Sequence, residues 1–296
     1  MKPFLRLFLA ALFLATAVIA PAQAKILTIG YVDLPCHTVS AELLKSLLER
    51  MGYNISLKKD TAEAIFAQMA EGEVDIMVAA WLPRTDASSW ESHKSRTTKV
   101  SVLYDNVKSA WAVPDYVPES LVRSIADLSK PEVSSKMEKS VAIPGAHPSL
   151  LQDSSKVMEA YGLGSAGYQL TPASVSDWTR AVQDGVGKQR WFVIATWQPN
   201  FLNRAVQYRV LEDPKQLLGG SDRAYLLANA QSFQKLDRPV SDLLKRVGIS
   251  NKAVVEMESM VMLEGRTPHE AARRWMAEHP NTIEYWYTPE ETDSDK

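Results

Sequence analysis

The sequence predicts an α/β protein of two lobes with a ligand cleft between them. Three observations carry this. Short apolar strands alternate with amphipathic helices from residue 26 to residue 82. After Pro114 the alternation starts again, as a second unit would require. Two strands, one in each unit, end in the same punctuation: Trp81-Leu82-Pro83 and Trp197-Gln198-Pro199.

Residues 1–24 read as a cleavable leader. Lys2 and Arg6 precede an apolar run, and Ala22-Gln23-Ala24 supplies the small-x-small cleavage pattern, making Lys25 the expected mature N-terminus. The apolar run is shorter than the ~20 residues that span a bilayer. Residues 26–32 alternate as a strand. Residues 40–51 form a helix with Leu43, Leu44, Leu47 and Leu48 on one face, closed by Gly52. A strand at 54–58, a helix at 61–70 ending at Gly72, and the strand that reaches Trp81 complete a parallel-sheet pattern. In such sheets ligands bind at the carboxyl ends of strands.

After a polar stretch at 84–98, residues 108–113 read as a strand ended by Pro114. The second unit follows: a short helix at 124–128, a strand at 140–143, a tight loop at 144–148 and a helix at 152–161. A strand at 168–171, a helix at 174–183, the strand to Trp197 and a strand at 206–211 complete it. More strand from Ala224 and helices near 240–247, 250–263 and 268–278 return to the first unit, ahead of an acidic tail at 290–296. The expected division is 1–24 leader, 25–113 with 212–296 as lobe 1, and 114–211 as lobe 2. Crossing segments near 113 and 211 would act as hinges.

Composition excludes several classes. The formal net charge is −2, and removing Lys2 and Arg6 takes it to −4. Nothing there favours nucleic acid or an anionic membrane. Cys36 is the sole cysteine, so it is neither a lipidated first residue nor half of a disulfide. The five histidines (37, 93, 147, 269, 279) include no i, i+4 pair, which gives no metal motif. Cys36-His37 invites a nucleophile reading, but neighbours on an extended segment point to opposite faces. No catalytic triad and no phosphate loop are found, and no cofactor is expected.

All eight tryptophans lie in the mature chain. Trp81, Trp111 and Trp197 each precede a strand-ending Pro by two or three residues. Trp178 shares a helical face with Val175 and Val182 and reads as core; Trp275 and Trp286 read as packing residues. Any single strand-end Trp also fits a core anchor. Three with one punctuation favour a shared aromatic site, suited to a permanent cation. Quaternary ammonium has no N–H, so the negative ring faces are its main attraction, about 0.5–2 kcal/mol each.

These residues resemble the OpuAC-like substrate-binding proteins of ABC importers for glycine betaine, choline, carnitine and proline betaine. The similarity runs through Gly72-Glu73-Val74-Asp75-Ile76, Trp81-Leu82-Pro83, Trp111-Ala112-Val113-Pro114-Asp115-Tyr116-Val117 and Ser124-Ile125-Ala126-Asp127-Leu128. It continues through Ile143-Pro144-Gly145-Ala146, Trp197-x-Pro199, Leu211-Glu212-Asp213-Pro214-Lys215 and the stretch from Pro268 to Met276. The resemblance implies a type II periplasmic-binding fold, each lobe a mainly parallel sheet flanked by helices. It makes Trp81 and Trp197 cage walls, with Trp111 where choline binders carry an aromatic and His147 in the loop of a polar contact.

Two departures shift the expected ligand chemistry. Cys36 stands where choline binders carry a further Trp, and Thr38 where they carry an Asp. Asn200 stands where many members have a His that can hold a carboxylate. Asn donates one neutral hydrogen bond there instead, and His37 or His147 is an alternative polar contact. The expectation is a monomeric periplasmic receptor that delivers a quaternary ammonium solute to an ABC permease. An amino acid or other zwitterion, an enzyme using Cys36, and a signalling co-receptor are the alternatives.

Overall fold

The computed structural model describes residues 26–145 and 148–288. The leader, Lys25, His147 and the acidic tail lie outside the described residues. The chain begins with β1 (Ile26–Tyr31), α1 (Pro35–Glu49), β2 (Asn54–Lys59), α2 (Ala62–Glu71) and β3 (Ile76–Leu82). β2, β1 and β3 pair in parallel. The helices supply the crossovers that parallel pairing requires. Thr61 caps α2 by accepting from the Ala64 amide, and Gly72 ends it in the left-handed conformation, as αL caps favour.

α1 starts earlier than the leucine stripe suggests. Pro35 occupies its first turn, a position where the missing N–H costs nothing. Cys36, His37 and Thr38 therefore sit on a helix, correcting their expected place in an extended loop. The opposite-faces argument against a Cys36–His37 pair loses its premise with it.

α3 (Ala87–His93) fills the polar stretch after β3, and β4 (Thr97–Pro114) runs 18 residues, far longer than expected. Its early residues pair with β9 (Asp222–Asn229) from Thr97 to Val107; its later ones pair with β7 (Ile194–Gln198) and β8 (Tyr208–Val210) from Lys108 to Pro114. Polar Lys99, Ser101, Asp105 and Asn106 interrupt its apolar pattern, which is why the sequence yields only the last part. One strand thus carries the large sheet from the β9 side to the β7 and β8 side. The order across the large sheet is β2-β1-β3-β9-β4-β7, with β8 also on β4. β9 and β4 extend the parallel trio in antiparallel fashion.

Between β4 and β7 the chain builds a 3₁₀ turn (Ile125–Ser129), α4 (Pro131–Ser134), β5 (Ser140–Pro144), α5 (Pro148–Ala160), β6 (Gln169–Ala173) and α6 (Val175–Gly187). β5 and β6 pair in parallel. α7 (Leu202–Ala205) follows β7. After β9 come α8 (Ala230–Gln234), α9 (Arg238–Arg246), α10 (Asn251–Met262), α11 (Pro268–Glu278) and α12 (Pro280–Tyr287). α10 and α11 pack on α1, returning the C-terminal segment to the first lobe. No described helix is long and apolar enough to cross a membrane.

Candidate ligand site between the lobes

The site begins with a defect in β3. Between Met77 and Ala80 the pairing with β9 shifts by one residue, and Ala79 takes φ +61°. A bulge of this kind changes which face the following side chains meet. Ile76, Val78, Ala79 and Trp81 join the main core, while Met77 and Ala80 face a smaller one with Ile65 and Phe66. Strict alternation would have put Trp81 with Met77 instead. The bulge turns Trp81 inward.

Three groups then fix Trp81. Its amide donates to Asp86 Oδ2 at 2.7 Å, and its indole Nε1–H donates to the Tyr104 hydroxyl on β4 at 3.3 Å. The His37 ring meets it edge-on, with centroids 5.0 Å apart and planes at 81°. The Leu82–Pro83 bond that follows is cis. Beyond it, Asp222 accepts from the Arg84 amide, the Thr85 amide and the Thr85 hydroxyl at 2.7, 3.1 and 2.7 Å.

Trp81 and His37 line a cavity of about 380 Å³, with Val32, Leu34, Thr85 and Asp86 on the same lobe and Gly145 and Ser149 on the other. Arg84 and Asp153 approach to 3.7 Å across the same gap. Burial pushes the Asp86 carboxyl up to about 7, with the Trp81 amide opposing the shift and Asp222 adding to it. The cavity therefore offers an indole wall, a titrating carboxyl and neutral hydroxyls.

The other predicted residues divide. Trp111 and Trp197 lie on one face of the β4–β7 ladder, because Trp111 opposes Ala195 and Trp197 opposes Ser109. Both are fully buried. Trp111 Nε1–H donates to the Ser154 hydroxyl on α5 at 2.9 Å. Trp178 stacks on Trp197 with centroids 5.4 Å apart, so one face of Trp197 is already covered. Neither Trp111 nor Trp197 is among the described residues that line the Trp81 cavity.

Thr38 donates to the Leu34 carbonyl at 3.0 Å and lines a separate cavity with Ser174 and Met262. Asn200 is buried, and its Oδ1 accepts from the Leu202 amide at 2.8 Å. Cys36 is buried. Burial first, then the neighbouring Glu258, pushes its thiol well above the usual range, opposite to what a nucleophile needs. Asp86, Tyr104 and Ser149 are site residues the sequence reading missed. Asp86 had a signal, an Asp three residues beyond a Trp-x-Pro turn; Tyr104 had none.

The profile of the family described as the substrate-binding domain of ABC-type glycine betaine transport systems matches residues 25–278. The glycine betaine/carnitine transport binding protein GbuC of Listeria monocytogenes is 26% identical over 129 residues, 43% of this chain. That stretch spans only 41% of the relative's length. Among solved structures, lactococcal OpuAC in its closed form with glycine betaine aligns over 89% of this chain and 100% of its own, with TM-score 0.77 at 22% identity. ProX from Borrelia burgdorferi gives 0.78 at 21% identity, over 89% of this chain and 97% of its own. A choline-binding protein of an ABC transporter, in complex with choline, gives 0.72 at 17%, over 88% and 91%. These likenesses carry the fold, type II and two-lobed. By its match across residues 25–278, the chain belongs to the family of substrate-binding domains of ABC-type glycine betaine transport systems.

Proposed function

We propose that this chain is the solute-capturing component of an ABC importer and binds a small quaternary ammonium compound between its lobes. Glycine betaine, choline and carnitine are the candidate solutes. The observation that carries the reading is Trp81: a buried indole held at its amide and its Nε1, on the wall of an interlobe cavity that also holds Asp86. A quaternary cation there gains the ring face, and the charge of Asp86 once that carboxyl is ionised, without needing to donate a hydrogen bond. Trp111 and Trp197 are buried and outside the cavity lining, so they add ring faces to the solute only if lobe movement uncovers them. His37 is the polar contact beside Trp81, and Asn200 shapes the turn after Trp197; His147, outside the described residues, is the remaining candidate contact.

We place the lobes at 25–113 with 212–296 and at 114–211; the change of partner along β4, between Val107 and Lys108, falls a few residues before that boundary. The receptor is periplasmic, freed by cleavage after residue 24, monomeric, and hands its solute to an inner-membrane permease. It carries out no chemistry, in keeping with the neutral Cys36 thiol.

A second reading, an amino acid or another zwitterion, is favoured by the polar positions. The Asp86 carboxyl and the Thr85 and Ser149 hydroxyls on the cavity lining can accept from a primary ammonium, which a quaternary one cannot use. Tryptophan fluorescence of the mature protein, titrated with glycine betaine, choline, carnitine, proline betaine and a set of amino acids, separates the two. A saturable response to a quaternary compound is expected; a response confined to amino acids rejects the first reading.

A further inference from the structure

Two helices, α1 beside the cavity and α7 after the Trp197 turn, begin without a cap of their own. Leu34 precedes α1 and Phe201 precedes α7, and neither side chain accepts a hydrogen bond. First-turn amides then need an acceptor from elsewhere. Glu258 of α10 reaches between them. It is fully buried, and neither carboxyl oxygen has a hydrogen-bond partner of regular geometry among the described residues. The groups that face it electrostatically are the amides of Phe201 and Cys36. The Cys36 thiol and the hydroxyls of Tyr104 and Tyr208 also lie within range of its charge. Two residues earlier on the same helix, Glu256 sits 3.5 Å from Arg204 of α7.

We propose that Glu258 is a positioning residue for the ligand site: one buried carboxyl, set between the starts of α1 and α7, holds His37 and the Trp197–Asn200 turn at their closed spacing. α1 belongs to the first lobe and α7 to the second, so the carboxyl spans the line along which the lobes part. Tyr104 couples the same spot to Trp81 through the indole hydrogen bond. The inference rests on the reading of an interlobe ligand and extends it to how closure is held.

Protonation follows from this placement. Burial pushes the Glu258 carboxyl well above its usual value, against the pull of the two amides. Burial therefore favours its neutral form. Opening returns it to water, where a glutamate ionises near about 4.3. Closure thus takes up a proton, so affinity is full at low pH and falls as pH rises through the interval between the two values. Cys36, Tyr104 and Tyr208 face Glu258 with their own values raised by burial, and they stay neutral across that interval. Asp86 and His37, at Trp81, are the other titratable groups of the site, so the informative quantity is the difference between wild type and variant.

Calorimetric titration of the full mature protein from pH 5 to 8, with the panel compound it binds most tightly, tests this in Glu258→Gln and Glu258→Leu. Wild-type affinity is expected to fall with pH by up to about tenfold per unit. Glu258→Gln should bind within about threefold of wild type at pH 5 and lose that part of the slope; Glu258→Leu should bind about tenfold or more weakly throughout. A Gln variant that keeps the wild-type slope, or a Leu variant with wild-type affinity, overturns the proposal. Hydrogen exchange on ligand-free protein gives an arm independent of the solute. The Cys36 and Phe201 amides should exchange faster in Glu258→Leu and stay protected in Glu258→Gln, and equal rates in wild type and both variants would reject the role of Glu258. If wild type binds no panel compound, the quaternary ammonium reading fails and the exchange arm still decides this one.

Discussion

At the scale of single residues, Trp81 and Asp86 form one unit. Trp81→Ala removes a ring face and should weaken solute binding by about 1–2 kcal/mol, roughly tenfold, in a calorimetric titration. Trp178 has a different part. Fully buried and stacked on Trp197, its truncation should cost about 3–5 kcal/mol of stability in denaturant unfolding, with affinity falling only as Trp197 loosens. Asp86 makes a pH prediction. Its folded value near 7 lies above the unfolded value, so the native state binds the extra proton. Its contribution is whole below about pH 4 and is lost as pH rises toward 7, by at most roughly 4 kcal/mol. Asp86→Asn keeps an oxygen for the Trp81 amide and should flatten that part of the pH dependence of the melting temperature. An unchanged profile would mean Asp86 is ionised in the folded protein.

At the scale of elements, the bulge in β3 and the length of β4 matter most. Ala79 occupies a left-handed conformation that costs a non-glycine residue roughly 1–2 kcal/mol. Ala79→Gly should therefore leave stability equal or higher, and Ala79→Val should lower it by at least about 1 kcal/mol, both read from unfolding midpoints. The alternation of Val74, Ile76 and Val78 made β3 itself legible, and Trp-x-Pro made its end legible. The bulge was not, because no glycine marks it, and so the face that Trp81 takes could not be deduced. Pro35 and the leucine stripe together hold the signal for α1; reading the stripe alone left Cys36, His37 and Thr38 in a loop. β4 hid its first half behind polar residues whose strand character comes from pairing with β9 rather than from their own pattern. Glu258 left no trace either, since a Glu among helix formers looks like any solvated residue until tertiary packing encloses it.

At the scale of the whole molecule, one strand and one return segment join the two lobes, and the cavity lies where residues of both meet. Arg84 and Asp153, one from each lobe, approach to 3.7 Å. The family match and the fold make capture by closure the natural working cycle. The proposed site comes down to one preference, a permanent cation against an indole face. It is tested most directly by calorimetric titration of the mature protein with a matched pair, the quaternary compound it binds best and the carbon isostere in which a quaternary carbon replaces the nitrogen. Shape and volume are then equal and the charge alone differs. The cation is expected to bind at least about tenfold more tightly; equal affinities for the two would rule out selection by charge.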